Sequence, residues 1–130
     1  MPHLTFEYTD NLGESADIPG LLAKSNAVLI AQDGLFPTGG IRSRAIGHTQ
    51  CCIADGSHPD DAFVHAHLRI GAGRSEAQKA AVGEALFAMI KAHFAAAFAT
   101  RGLALSLELT EFSEAGTYKH NNLHARYAKP

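Results

Sequence analysis

Along residues 4–9, apolar Leu4, Phe6 and Tyr8 alternate with polar Thr5, Glu7 and Thr9, the period-2 signature of a half-buried strand. Asp10-Asn11-Leu12-Gly13 turns the chain, and Ser15 or Asp17 is placed to cap a helix with Pro19 in its first turn. Ile18, Leu21, Leu22, Ser25, Val28, Leu29 and Gln32 mark one face of that helix, which Asp33-Gly34 and Phe36-Pro37-Thr38-Gly39-Gly40 end. Residues 41 to about 53 read as extended, with Arg42, Arg44 and Ile46 on one side, and 54–61 as a loop.

The pattern then repeats. Residues 62–70 alternate Phe63, His65, His67 and Arg69 with Val64, Ala66, Leu68 and Ile70. A glycine turn leads into Ser75-Glu76-Ala77-Gln78, a capping box in which Ser75 and Gln78 satisfy the orphan N–H groups of a helix start. Val82, Leu86, Met89, Ile90, Phe94, Ala97 and Phe98 form the apolar stripe of that helix, and Arg101-Gly102 ends it. Leu103, Leu105, Leu107 and Leu109 then alternate with Ala104, Ser106, Glu108 and Thr110, the clearest strand in the chain.

The order is therefore βαβ followed by βαβ, an internal repeat of organisation. It predicts one α+β domain over residues 1–130, with repeat 1 at about 2–54, repeat 2 at about 62–111 and a tail at 112–130. The expected fold is a four-stranded mixed sheet with both helices on one face. Its other face would need covering, most simply by another copy of the chain. The tail has few periodic signals, and its polar run Tyr118-Lys119-His120-Asn121-Asn122 is a candidate to cross a neighbouring subunit.

Composition narrows the function. With 130 residues, 46% of them hydrophobic, the chain is long enough for one core. A formal charge of −2 argues against a nucleic-acid binder, and no apolar stretch is long and pure enough for a membrane span. The opening Met1-Pro2-His3-Leu4-Thr5 does not read as a signal peptide. Cys51 and Cys52 are adjacent, so on a strand they would point to opposite faces; this disfavours an intrachain disulfide and suits a reducing, cytoplasmic setting.

The candidate chemistry begins at Pro2. Aminopeptidases remove an initiator methionine when the next residue is small, leaving a prolyl secondary amine directly before a strand. A free α-amino group titrates at roughly 7.7–8.0, and a hydrophobic pocket or nearby cations would lower that value by disfavouring the protonated form. Such a group suits proton transfer near pH 7. Alone, a second-position proline is a weak signal and reads first as a stiff start to an edge strand. Arg42 and Arg44 share a strand face, as either carboxylate binders or a solvated pair. Arg74 stands at a strand-to-helix turn that Gly71, Gly73 and the capping box already explain without it. An arginine grips a carboxylate through two hydrogen bonds. His65 with His67, and His120 with His124, have spacings compatible with metal binding, but no carboxylate or cysteine stands at ligand spacing to complete a site, so no metal is expected. The chain carries neither a phosphate-binding glycine loop nor a nucleophile elbow.

Together these pieces resemble the tautomerase superfamily, whose members use an N-terminal proline on a βαβ framework. Gly73-Arg74-Ser75-Glu76-Ala77-Gln78-Lys79 resembles the turn and helix start of 4-oxalocrotonate tautomerase. Nearly the whole chain is similar to the 5-carboxymethyl-2-hydroxymuconate Δ-isomerase family, through Met1-Pro2-His3, Ala16-Asp17-Ile18-Pro19-Gly20-Leu21, Gly40-Ile41-Arg42-Ser43-Arg44 and Ala54-Asp55-Gly56. Ala62-Phe63-Val64-His65, Ile70-Gly71-Ala72-Gly73-Arg74-Ser75 and Asn121-Asn122-Leu123-His124-Ala125 extend the similarity. The resemblance implies a homotrimer with active sites near subunit boundaries, no cofactor, a small polycarboxylate substrate and a place in homoprotocatechuate breakdown. It makes Pro2 the general acid/base and Arg42 and Arg74 the carboxylate binders, with Arg44 a further candidate. Ala62-Phe63 occupies the second repeat where Met1-Pro2 opens the first, so one active proline per chain is expected. Another tautomerase-fold enzyme, acting as a keto–enol tautomerase or a hydratase on a smaller unsaturated acid, remains an alternative. So does a non-catalytic trimeric binding protein.

Overall fold

A computed structural model of the chain describes residues 1–128. Strand β1 (His3–Thr9) is followed by a 3-10 turn (Asp10–Ala16), helix α1 (Ile18–Ile30), a short 3-10 turn (Thr38–Gly40) and strand β2 (Arg42–His48). The second half comprises β3 (Ala62–Gly71), α2 (Glu76–His93), α3 (Ala95–Thr100) and β4 (Leu103–Phe112), and α4 (Leu123–Tyr127) closes the described chain. The sheet order is β2-β1-β3-β4. Each repeat supplies a parallel pair, β1 with β2 and β3 with β4, and the repeats join through antiparallel β1 and β3. This is the mixed four-stranded sheet that the alternating patterns predict.

The inward positions of the strands and the apolar helix stripes meet in one core. Leu4, Phe6, Val64, Ala66, Leu68 and Ile70 are buried against Leu21, Leu29, Val82, Leu86 and Ile90. Asp17 caps α1 from a left-handed conformation (φ 41°), its carboxylate accepting from the Gly20 N–H at 3.2 Å. At α2 the Gln78 N–H donates to Ser75 Oγ and the Ser75 N–H to Gln78 Oε1, the reciprocal box read from the sequence. No helix among the described residues is long and apolar enough to cross a membrane.

Three expectations need correction. β2 stops at His48 rather than running to about residue 53, because its partner β1 ends at Thr9, opposite His48, and an edge strand has no other ladder to continue. Cys51 and Cys52 consequently lie in the following loop, both exposed and free, so strand alternation is not what keeps them apart. Phe98 does not share the buried stripe: the helix breaks at Phe94, whose ring turns into the core, and Phe98 on the next turn is 61% exposed. The tail folds back on its own chain, with α4 packing on the Thr38–Gly40 turn.

The face of the sheet opposite the helices carries a lattice of polar cross-strand pairs. His65 bonds Ser106 Oγ at 2.6 Å and Glu108 Oε1 at 3.0 Å, His67 bonds Thr110 Oγ1 at 2.8 Å, and His48 bonds Glu7 Oε1 at 2.9 Å. The histidines of β3 thus serve the sheet's own hydrogen bonding. At the N-terminal end of this face, His3 is held below its usual pKa of 6.5 by burial and by Arg44, Arg42 and Arg69.

Candidate active site

The N-terminus lies where three loops converge. Pro2 is fully buried, and its carbonyl accepts from the Arg42 N–H at 3.1 Å, extending the β1–β2 ladder by one step. That bond fixes the first residue of β2 beside the start of β1. The Arg42 guanidinium folds back to donate from Nη1 to the Gly40 carbonyl at 2.9 Å.

Arg74 comes from the turn after β3, where Gly73 adopts φ +116°, a conformation that disfavours any side chain. Its guanidinium bridges two loops: Nη1 donates to the Gly71 carbonyl and Nη2 to the Leu35 carbonyl, each at 3.0 Å. It also lies over the buried Phe36 ring, 5.2 Å from the centroid. Of five N–H donors, these bonds occupy two, so the fork is braced and still has donors to offer.

The chain's free amine, on Met1 here, is held below its ordinary value of 8.0. Burial is the largest cause, followed by the positive charges of Arg74 and Lys119; Glu114 opposes them, and Arg42 adds a smaller push in the same direction. An amine with that environment is uncharged over more of the neutral range and so can accept a proton there. The prolyl nitrogen lies one residue further in and becomes an amine only when Met1 is removed.

Of the sequence candidates, Arg42 is tied to Pro2 by the backbone bond, and the charges of Arg74 and Arg42 both act on the terminal amine. Arg44 is exposed, and its Nη1 donates to Nδ1 of His3, the residue next to Pro2, at 3.2 Å on the uncovered sheet face. Four neighbours of the site are not read as parts of it from the sequence, where Lys119 and His124 figure only in a polar tail run, a metal-spacing pair and a family-like stretch. Phe36 supports Arg74 from within a loop of chain-breaking residues, where a large apolar side chain was the available signal. Glu114, Lys119 and His124 come from the tail, whose lack of periodicity hid them. Glu114 Oε1 and Arg74 Nη1 both flank Gly71, 3.0 and 3.4 Å from where a Cβ on that glycine would stand. Glu114 Oε2 is 3.6 Å from Lys119 Nζ. His124 and Met1 close over Gly40, at whose Cβ position they would approach to 3.2 and 3.4 Å.

The tail's seat depends on Gly39. A Cβ there would lie 2.7 Å from the Leu123 carbonyl oxygen and 2.8 Å from the His124 nitrogen, backbone atoms that cannot swing aside. Overpacking of this kind costs about 1–3 kcal/mol, more than a five-residue surface helix is expected to offset. Gly39→Ala should therefore unseat α4 while the sheet persists. Limited proteolysis should show new cleavage after Phe112 with the thermal transition nearly unchanged; an uncut tail would contradict this reading of the contact.

The sequence profile of 5-carboxymethyl-2-hydroxymuconate isomerase matches residues 2–127. The Escherichia coli protein 5-carboxymethyl-2-hydroxymuconate Delta-isomerase is 49% identical over 127 residues, covering 98% of this chain and 99% of that protein. The crystal structure of a 5-carboxymethyl-2-hydroxymuconate isomerase from Deinococcus radiodurans R1 superposes with a TM-score of 0.94 at 61% identity, covering 98% of this chain and 95% of that one. A fused 4-OT described as a symmetric trimer shares the fold at 19% identity, with a TM-score of 0.66 and coverage of 96% and 97%. With almost its full length matched by the family profile and by close relatives, the chain belongs to the 5-carboxymethyl-2-hydroxymuconate isomerase family.

Proposed function

We propose that this protein isomerises 5-carboxymethyl-2-hydroxymuconate from the 2-hydroxydienoate to the 2-oxo-3-enoate, within homoprotocatechuate breakdown in the cytoplasm, using Pro2 as general base and then general acid. The observation that carries this reading is the gathering of a buried Pro2, Arg42 and Arg74 around a chain terminus whose amine is held below its usual pKa. Neutral Pro2 takes the proton of the 2-hydroxyl group, leaving a dienolate whose charge spreads along the conjugated chain. Arg42 and Arg74 bind the carboxylates and stabilise that charge as it develops. Protonated Pro2 then returns the proton to C5, so the product forms and the base is neutral again. One base serving both ends requires a substrate held in a single orientation, which two guanidinium groups provide. No step calls for a cofactor.

Self-association fits the same scheme. The sheet face opposite the helices is uncovered in a single chain, and the fold neighbour described as a symmetric trimer suggests how copies would cover it. A homotrimer is the proposed assembly.

The test is turnover by protein whose N-terminus has been verified by intact mass. Loss of the dienol absorbance on adding 5-carboxymethyl-2-hydroxymuconate, with deuterium appearing at C5 in D2O, is the expected result. Turnover of a smaller keto–enol acid with no effect on this compound would assign the protein to different chemistry on the same fold.

A further inference from the structure

We propose that Lys119 is a specificity-determining residue that binds the substrate's third carboxylate, the one on the carboxymethyl arm. This deepens the reading above and rests on it. By its name the substrate is a muconate, with a carboxylate at each end, plus a carboxymethyl group on C5. Arg42 and Arg74 account for two carboxylates. The arm hangs from the carbon that Pro2 protonates, so its carboxylate must come to rest beside the N-terminus during the reaction.

Lys119 is the third cation available there. Lys119 is at the surface with its side chain part-covered, whereas Tyr118 beside it stands almost fully in solvent. The segment carrying it is anchored on both sides. Before it, Phe112 accepts from the Ala72 N–H at 3.2 Å, continuing the β3–β4 ladder. After it, α4 packs on the Thr38–Gly40 turn, with His124 and Met1 both against Gly40. The ammonium is paired with Glu114 at 3.6 Å, and the other oxygen of that carboxylate flanks Gly71 beside the Arg74 guanidinium. A carboxylate thus already lies between Arg74 and Lys119, supplied by an exposed side chain free to turn away. The influence of Lys119 on the chain's amine, second among the charges after Arg74, agrees with this placement.

The experiment compares two substrates in wild type, Lys119→Met and Lys119→Arg. One is 5-carboxymethyl-2-hydroxymuconate; the other is 2-hydroxymuconate, which lacks the arm. Assays are run at a pH on the plateau above the acidic limb, so that the amine is neutral in every variant and a shift in its pKa does not enter. Lys119→Met should lower kcat/KM for the tricarboxylate about tenfold or more, the scale of a lost charge-assisted hydrogen bond, chiefly through KM. The loss on 2-hydroxymuconate should be several-fold smaller, and Lys119→Arg should recover most of the tricarboxylate preference. Equal losses on the two compounds, or no loss on either, would overturn the assignment while leaving the isomerase reading intact. A wild-type enzyme inactive on both compounds would overturn the isomerase reading, and this assignment with it.

Discussion

Protein that keeps Met1 is expected to lose about 10²–10⁴-fold in kcat, the range associated with removing a general acid–base. With Met1 in place the Pro2 nitrogen is a tertiary amide with no basic lone pair. The free amine has moved one residue outward, past the buried ring that would aim it. Preparations containing both forms should have activity proportional to the fraction of prolyl termini, read by intact mass. A fixed extension ahead of Pro2 that aminopeptidases leave alone should be inactive with an unchanged thermal transition, since Pro2 would remain in the same buried position. Pro2→Ala gives a useful contrast: removal of Met1 would still leave an amine at the same place, so its loss should be smaller than that of the extended protein. Equal activity in extended and processed protein would remove Pro2 from the mechanism.

Arg74→Ala should lower kcat/KM by about 10²–10³-fold, comparable to losing one donor to a developing anion. It should also move the acidic limb of the pH–rate profile upward. The Arg74 charge is the largest electrostatic contribution holding the terminal amine down, so without it the amine retains its proton to higher pH and the neutral base appears later. Arg74→Lys separates the two effects. It keeps a positive charge, so the limb should stay near its wild-type position. A lysine cannot bond the Gly71 and Leu35 carbonyls through a planar fork while lying flat on Phe36, so most of the rate loss should remain. A profile that shifts equally in both variants would mean that positioning, not charge, sets the amine's pKa.

The fold was legible where its causes are local. Alternation in residues 4–7 and 103–110 and the Ser75–Gln78 box each depend on neighbours in sequence, and each appears as read, whereas at the end of β1 Thr9 is buried against the pattern. The end of β2 was not, because it is set by where β1 turns away, some forty residues earlier in the chain. The site divides in the same way. Pro2, Arg42 and Arg74 are marked by the chain end, a strand start and a glycine turn. Arg44 shares a strand face with Arg42 and stands opposite Thr5, from where its side chain reaches back to His3, a cross-strand contact that spacing along one strand does not reveal. That Phe36, Glu114, Lys119 and His124 stand beside the terminus was not legible, because each acts across a long stretch of chain. The Leu35–Arg74 bond spans 39 residues, and α4 reaches a turn from the opposite half of the sequence. Alternation and capping report how a segment folds; they carry no information on which loops meet.

The most direct measurement is an NMR titration of protein labelled with 15N-proline and fully processed to Pro2. The Pro2 nitrogen should titrate below an N-terminal proline in a short unfolded peptide measured alongside, for the reasons that lower the Met1 amine, and its midpoint should rise in Arg74→Ala. A nitrogen that titrates at or above the peptide's midpoint and does not respond to loss of Arg74 would contradict a proline held neutral by burial and guanidinium charge.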